Sequence, residues 1–95
     1  MNTAEKIISE MTALKDETQR KNLMRFFKTG KGEYGEGDEF LGLRCPETRE
    51  IVKKYYKEAS LEDVEILVKN SFHEIRLCGF LILVEKILLQ IILQI

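Results

Sequence analysis

Apolar positions along this chain recur at helical rather than strand spacing, and β-branched alternation is nearly absent. Over residues 4–15, Ile7, Ile8, Met11 and Leu14 share one stripe, with Glu5, Lys6, Glu10 and Lys15 opposite, which predicts an amphipathic helix. Leu23, Met24, Phe26 and Phe27 repeat the stripe over 16–29, and Gly30 reads as its stop. Residues 1–29 therefore predict a first helix pair. Pro46 suits the first turn of a helix over 46–57, where its missing N–H has no helical partner to lose. In that helix Ile51, Val52, Tyr55 and Tyr56 face inward, and Arg49, Lys53, Lys54 and Lys57 occupy the rest of the circumference. Ser60–Asp63 and Ser71–Glu74 both read as capping boxes. The first opens a helix with Leu61, Val64, Leu67 and Val68 on one side. The second opens a helix that begins amphipathic and then becomes apolar. The pattern predicts an all-α chain of about five helices, packed as antiparallel pairs because the connections are short.

Two stretches break this regularity. Five of the six glycines fall between Gly30 and Gly42, so residues 30–45 form a loop needing positive φ or close backbone approach, anchored by Phe40, Leu41 and Leu43. From Leu77 to Ile95 only Glu85, Lys86, Gln90 and Gln94 are polar. Length alone would admit a membrane span, but Glu85 and Lys86 sit at its middle, where each charge costs at least about 2.5 kcal/mol. A buried or interfacial helix is the better reading, and no membrane partner is expected. Five short helices cannot cover such a tail, which points to a continuation of the chain or to a second copy, making the protein an oligomer.

Ninety-five residues make a single domain, 1–95, whose later helices and apolar tail occupy 46–95. The formal charge of −1 conceals an asymmetry. Residues 20–57 carry ten Lys/Arg against six Asp/Glu, and the rest carry five against ten. The middle segment thus leans towards a polyanion. Cys45 and Cys78 lack metal-site spacing and His73 is the only histidine, which argues against a disulfide framework, a zinc cluster or any cofactor. Both cysteines read as small buried residues. The polar, amphipathic start is not a signal peptide, and a reducing, cytoplasmic address is the default.

The candidate chemistry is electrostatic. Arg44 and Arg49 flank Pro46 at a helix N-terminus, where unpaired N–H groups favour an anion. With Lys53 and Lys57 they form the best candidate footprint for the backbone of a polyanion. The bland alternative is a solvated face with local pairs such as Glu50–Lys54. Lys28 and Lys31 flank the glycine-rich loop, whose N–H groups offer a phosphate cradle, although Glu33, Glu36, Asp38 and Glu39 oppose it. His73-Glu74-Ile75-Arg76 lacks the second histidine of a metal site, so helix capping and packing are expected, with Arg76 pairing an acid on a neighbouring repeat. Tyr34, Tyr55 and Tyr56 are candidates for base stacking, with Tyr55 and Tyr56 better read as core.

The stretch from Phe26 through Lys28-Thr-Gly-Lys-Gly-Glu-Tyr-Gly-Glu-Gly-Asp-Glu39 to Phe40-Leu-Gly-Leu-Arg-Cys-Pro-Glu-Thr-Arg49 resembles the DNA alkylation repair enzyme family, the AlkD-like alkylpurine DNA glycosylases. Ser71-Phe-His-Glu-Ile-Arg-Leu77 and Leu81-Ile-Leu-Val84 resemble the same family's next helical repeat. The resemblance spans about residues 20–86. It implies an α-solenoid of HEAT-like helix pairs with a concave, basic, DNA-binding face. It also implies hydrolysis of the N-glycosidic bond of cationic alkylated purines, a task for a carboxylate and aromatic faces that stabilise positive charge developing on the sugar. In the family, the catalytic Asp and its Trp and Arg companions lie in later repeats. This chain has no Trp, and Asp38 and Asp63 are the wrong positions for that role. Residues 87–95 depart from the family's polar connection and read as a truncated or out-of-frame end. The expectation is a catalytically incompetent N-terminal part that binds double-stranded DNA weakly and without sequence preference. A second expectation is a non-catalytic helical module that self-associates through residues 77–95.

Overall fold

The computed structural model describes residues 1–33 and 35–95. Tyr34, one of the candidate stacking residues, lies outside them. Five helices follow in order: α1 Thr3–Ala13, α2 Glu17–Phe26, α3 Cys45–Tyr55, α4 Leu61–Val68 and α5 His73–Leu93. The all-α expectation of five helices is met, and no strand occurs among the described residues.

Three of the five starts have a side-chain cap. Asn2 and Asp16 cap α1 and α2 by accepting from the N–H groups of Glu5 and Gln19, at 2.8 and 3.0 Å. The Ser60 capping box forms as expected: Ser60 Oγ accepts from the Asp63 N–H at 3.1 Å, and Asp63 Oδ2 accepts from the Ser60 N–H at 2.9 Å. Asp63 does more than the motif promises. Its other oxygen accepts the Ala4 N–H at 3.1 Å, so one buried carboxylate serves the first turns of both α1 and α4.

Helix α2 ends earlier than Gly30 predicts. Lys28 takes the left-handed conformation with φ 54°, the Thr29 N–H donates to the Met24 carbonyl at 3.1 Å, and the Lys28 N–H donates to the Arg25 carbonyl at 3.3 Å. That is a Schellman stop built on a lysine where glycine is the usual occupant. The second expected box is also absent. Helix α5 begins at His73 with Phe72 as its cap, and neither the Ser71 hydroxyl nor Glu74 closes the turn.

The core joins Ala4, Ile7 and Met11 of α1 to Ile51, Val52 and Tyr55 of α3, Val64 and Leu67 of α4, and Ile75, Cys78 and Ile82 of α5. Helix α5 packs most extensively on α4 and then on α3, while α1 lies against α3 and α4. Gly79 permits a close approach of α5 to α4, since an added Cβ would sit 2.9 Å from the side chains of Leu67 and Val68. Helix α2 buries no residue: Leu23 and Met24 are half-buried, and Phe26 is 77 % exposed. Its expected apolar face therefore does not pack into the core with α1. Leu14 and Leu61, expected on inward stripes, are exposed too. The 21-residue α5 outruns the core, which gives the molecule a long axis of 47 Å against 26 and 22 Å.

Candidate nucleic-acid interface

The stride of four places Arg49 and Lys53 on one face of α3, and Lys57, two residues past its end, lines the same groove. Across from them α5 contributes Leu81 and Glu85. The two helices bound an open groove of about 620 Å³, with Val52 and the half-buried Tyr56 as its apolar floor. A further recess of about 150 Å³ shares Tyr56 and Lys57 and adds Lys86, Leu89, Gln90 and Leu93. The result is a continuous trough with four cations and one acid along it. Among the described residues, none of Arg49, Lys53, Lys57 and Lys86 makes an ion pair. Lys57 Nζ lies 5.9 Å from the centre of the Tyr56 ring.

The neighbouring Lys54 is already engaged. It pairs with Glu10 of α1 rather than with Glu50, so the expected local pair gives way to a link between helices. Hydrogen bonds from Lys54 and from the Tyr55 hydroxyl, the latter at 2.9 Å, hold the Glu10 carboxyl below its usual range. Burial, then the Glu10 hydrogen bond, pushes the Tyr55 hydroxyl up. Tyr55 is thus a core residue with its polar tip satisfied. Tyr56, expected to be core, turns a flank into the groove.

Most of the glycine-rich loop's N–H groups past residue 34 are already engaged within the protein. The N–H groups of Gly35, Glu36, Gly37 and Asp38 donate to carbonyls within residues 28–35, and that of Glu39 donates to the Asp38 carboxylate. Those of Leu41, Gly42 and Leu43 donate to the buried Glu74 carboxylate at 2.9, 2.8 and 3.2 Å. These donors are spent on the fold. Lys28, Lys31 and Arg44 are exposed, and they do not line the α3–α5 groove.

The other candidates resolve into a bracing cluster. Arg76 binds Asp38 of the loop at 2.6 Å and donates to the carbonyls of Asn70 and Ser71, while His73 Nδ1 lies 3.2 Å from the same aspartate. The acid that Arg76 finds is therefore in the glycine-rich loop. Burial works against the Asp38 carboxylate, but the hydrogen bonds from Arg76 and His73 outweigh it and lower its pKa. The Phe40 ring stacks on His73 and Phe27, with centroids 4.6 and 5.2 Å apart. These rings border an apolar cavity of about 360 Å³ that also meets Phe26, Leu77 and Cys45. Cys45 is exposed, contrary to expectation, because it occupies the first turn of α3 on the outer side; Cys78 is buried. No group of three His, Cys, Asp or Glu suited to a metal ion exists among the described residues, and no helix is long and apolar enough to cross a membrane.

Sequence reasoning named Arg49, Lys53 and Lys57 as a candidate footprint at the start of a helix, and all three line the groove. It missed Lys86 and Tyr56 as groove residues. Lys86 enters from another helix, and its only signal was a polar break in an apolar run.

The described residues thus form an all-helical scaffold with unpaired cations along an open, apolar-floored groove. A family model described as DNA alkylation repair enzyme matches residues 7–90, and the chain belongs to that family. No curated protein and no solved structure matches the chain significantly.

Proposed function

We propose that this chain holds the phosphate backbone of duplex DNA along the α3–α5 groove, as a HEAT-like segment of a fold that excises alkylated purines. It supplies positioning contacts and not the catalytic carboxylate. The observation that carries this reading is the row of Arg49, Lys53, Lys57 and Lys86, without an ion pair among the described residues, in a chain of the DNA alkylation repair family. Cations of this kind contact phosphates and read no sequence, so binding is expected to be non-specific. Lys28, Lys31 and Arg44 belong to the same proposal as outlying contacts at the loop and at the start of α3. A salt titration of duplex binding tests it. Three to four neutralised phosphates predict a slope of log affinity against log salt of about −3, and binding insensitive to salt would refute the reading.

The exposed apolar side of α5 favours a second reading, that the chain also self-associates through residues 77–95.

A further inference from the structure

Helix α5 is apolar on two opposite sides. Ile75, Cys78, Gly79 and Ile82 are buried against the rest of the protein. The other side carries Phe80, Val84, Ile87, Leu88 and Ile91, each about half exposed (47–56 %). Phe80, Val84, Ile87 and Ile91 follow one another at intervals of four, three and four, the spacing of a seam between paired helices. A helix carrying apolar faces on two sides normally has both covered.

We propose that a second copy of this chain covers that side, in a symmetric pair whose seam is Phe80, Val84, Ile87, Leu88 and Ile91. The proposal rests on the self-association reading and assigns its surface. Three observations select a second copy as the occupant. The seam continues through Leu77 to the cavity bordered by Phe26 and Phe27. Taken with those two rings, exposed at 77 and 42 %, seven large apolar side chains lie open along one side, more than singly scattered surface residues account for. A seam with this spacing is complemented by another helix of the same spacing, and a two-fold axis supplies one by setting the same residues against themselves. Finally, Glu85, Lys86 and Gln90 lie off the seam and on the α3–α5 trough. Pairing along residues 80–91 therefore covers neither Glu85 nor Lys86 and leaves both basic grooves open, so the pair presents two backbone-binding surfaces.

The test is the solution mass without DNA, by light scattering coupled to gel filtration. The expected mass is twice the 11.1 kDa of one chain. Phe80→Glu with Ile87→Glu should return it to the single-chain value with unchanged helical circular dichroism, since both side chains are half exposed. A second measurement guards against misfolding of that variant. In a Cys45→Ser background, Ile87→Cys should cross-link between copies under mild oxidation, and Glu62→Cys on exposed α4 surface should not. A monomeric wild type would overturn both self-association and the seam. A wild-type dimer that survives the double substitution, or cross-links no better through Ile87→Cys than through Glu62→Cys, would overturn the seam alone.

Discussion

The carboxylate of Glu74 accepts the N–H of Gly42 at 2.8 Å, joining the first turn of α5 to a loop residue 32 positions earlier. The same carboxylate takes the N–H groups of Leu41 and Leu43. Gly42, at φ 93°, lies so close to the Asp16 carbonyl and the Arg20 N–H that no Cβ fits there. The Leu41 carbonyl accepts the Asp16 N–H at 3.1 Å. One buried acid thus fixes the end of the glycine-rich loop, and through it the start of α2.

Glu74→Gln retains the volume but turns a donor towards groups that are themselves donors. It should destabilise the fold by about 2–4 kcal/mol, as expected when buried hydrogen bonds to a charge are lost. Ser71→Ala should change stability by less than about 0.5 kcal/mol, because Ser71 caps nothing. Urea unfolding of the two variants separates these roles, and equal losses would show that Ser71 caps after all.

Lys28 bears a side chain in a left-handed conformation that costs an L-residue about 1 kcal/mol and a glycine almost nothing. Lys28→Gly should therefore raise stability by about 1 kcal/mol, and the melting temperature of a domain this size by about 4–8 °C. A thermal melt checks both the sign and the size.

Much of this was legible in the sequence, and the exceptions share a cause. Helical periodicity located all five helices, and the Ser60–Asp63 box reads correctly because capping is local. Ser71–Glu74 has the same spacing and fails, because the N–H groups of a loop 31 to 33 residues away compete for the Glu74 carboxylate. Gly30 was the obvious helix stop, yet the turn closes two residues earlier on a lysine, held by the loop's own hydrogen bonds. The stride of Arg49, Lys53 and Lys57 is visible in one dimension. The arrival of Lys86 and Glu85 opposite them depends on how α5 crosses α3, which no local pattern encodes.

Acid should loosen the fold through two aspartates. Burial opposes the charge on Asp63, but hydrogen bonds from the backbone of Ser60 and Ala4 and from the Ser60 hydroxyl overcome it; Arg76 and His73 do the same for Asp38. Both folded-state values lie below the ordinary 3.8. Their contribution is thus complete above about pH 4 and is lost as pH falls through the lowered values. Stability measured from pH 6 down to pH 2 should drop along that limb, and Asp38→Asn with Asp63→Asn should flatten it.

The two thiols should differ sharply. Burial pushes Cys78 up to about 12, which leaves almost no thiolate at neutral pH, while Cys45 is exposed. A chromogenic disulfide reagent should titrate one thiol per native chain and two in denaturant. Two fast thiols in the native protein would contradict the packing of α5 on α4.

The groove between α3 and α5 is the centre of the functional account, and fluorescence anisotropy of a labelled duplex, at one fixed low salt concentration, tests it most directly. Lys53→Glu with Lys57→Glu should weaken binding at least about tenfold, and Glu85→Gln should tighten it about threefold by removing the trough's one acid. Affinity unchanged by both sets of substitutions would place the DNA elsewhere on the molecule, or nowhere on it.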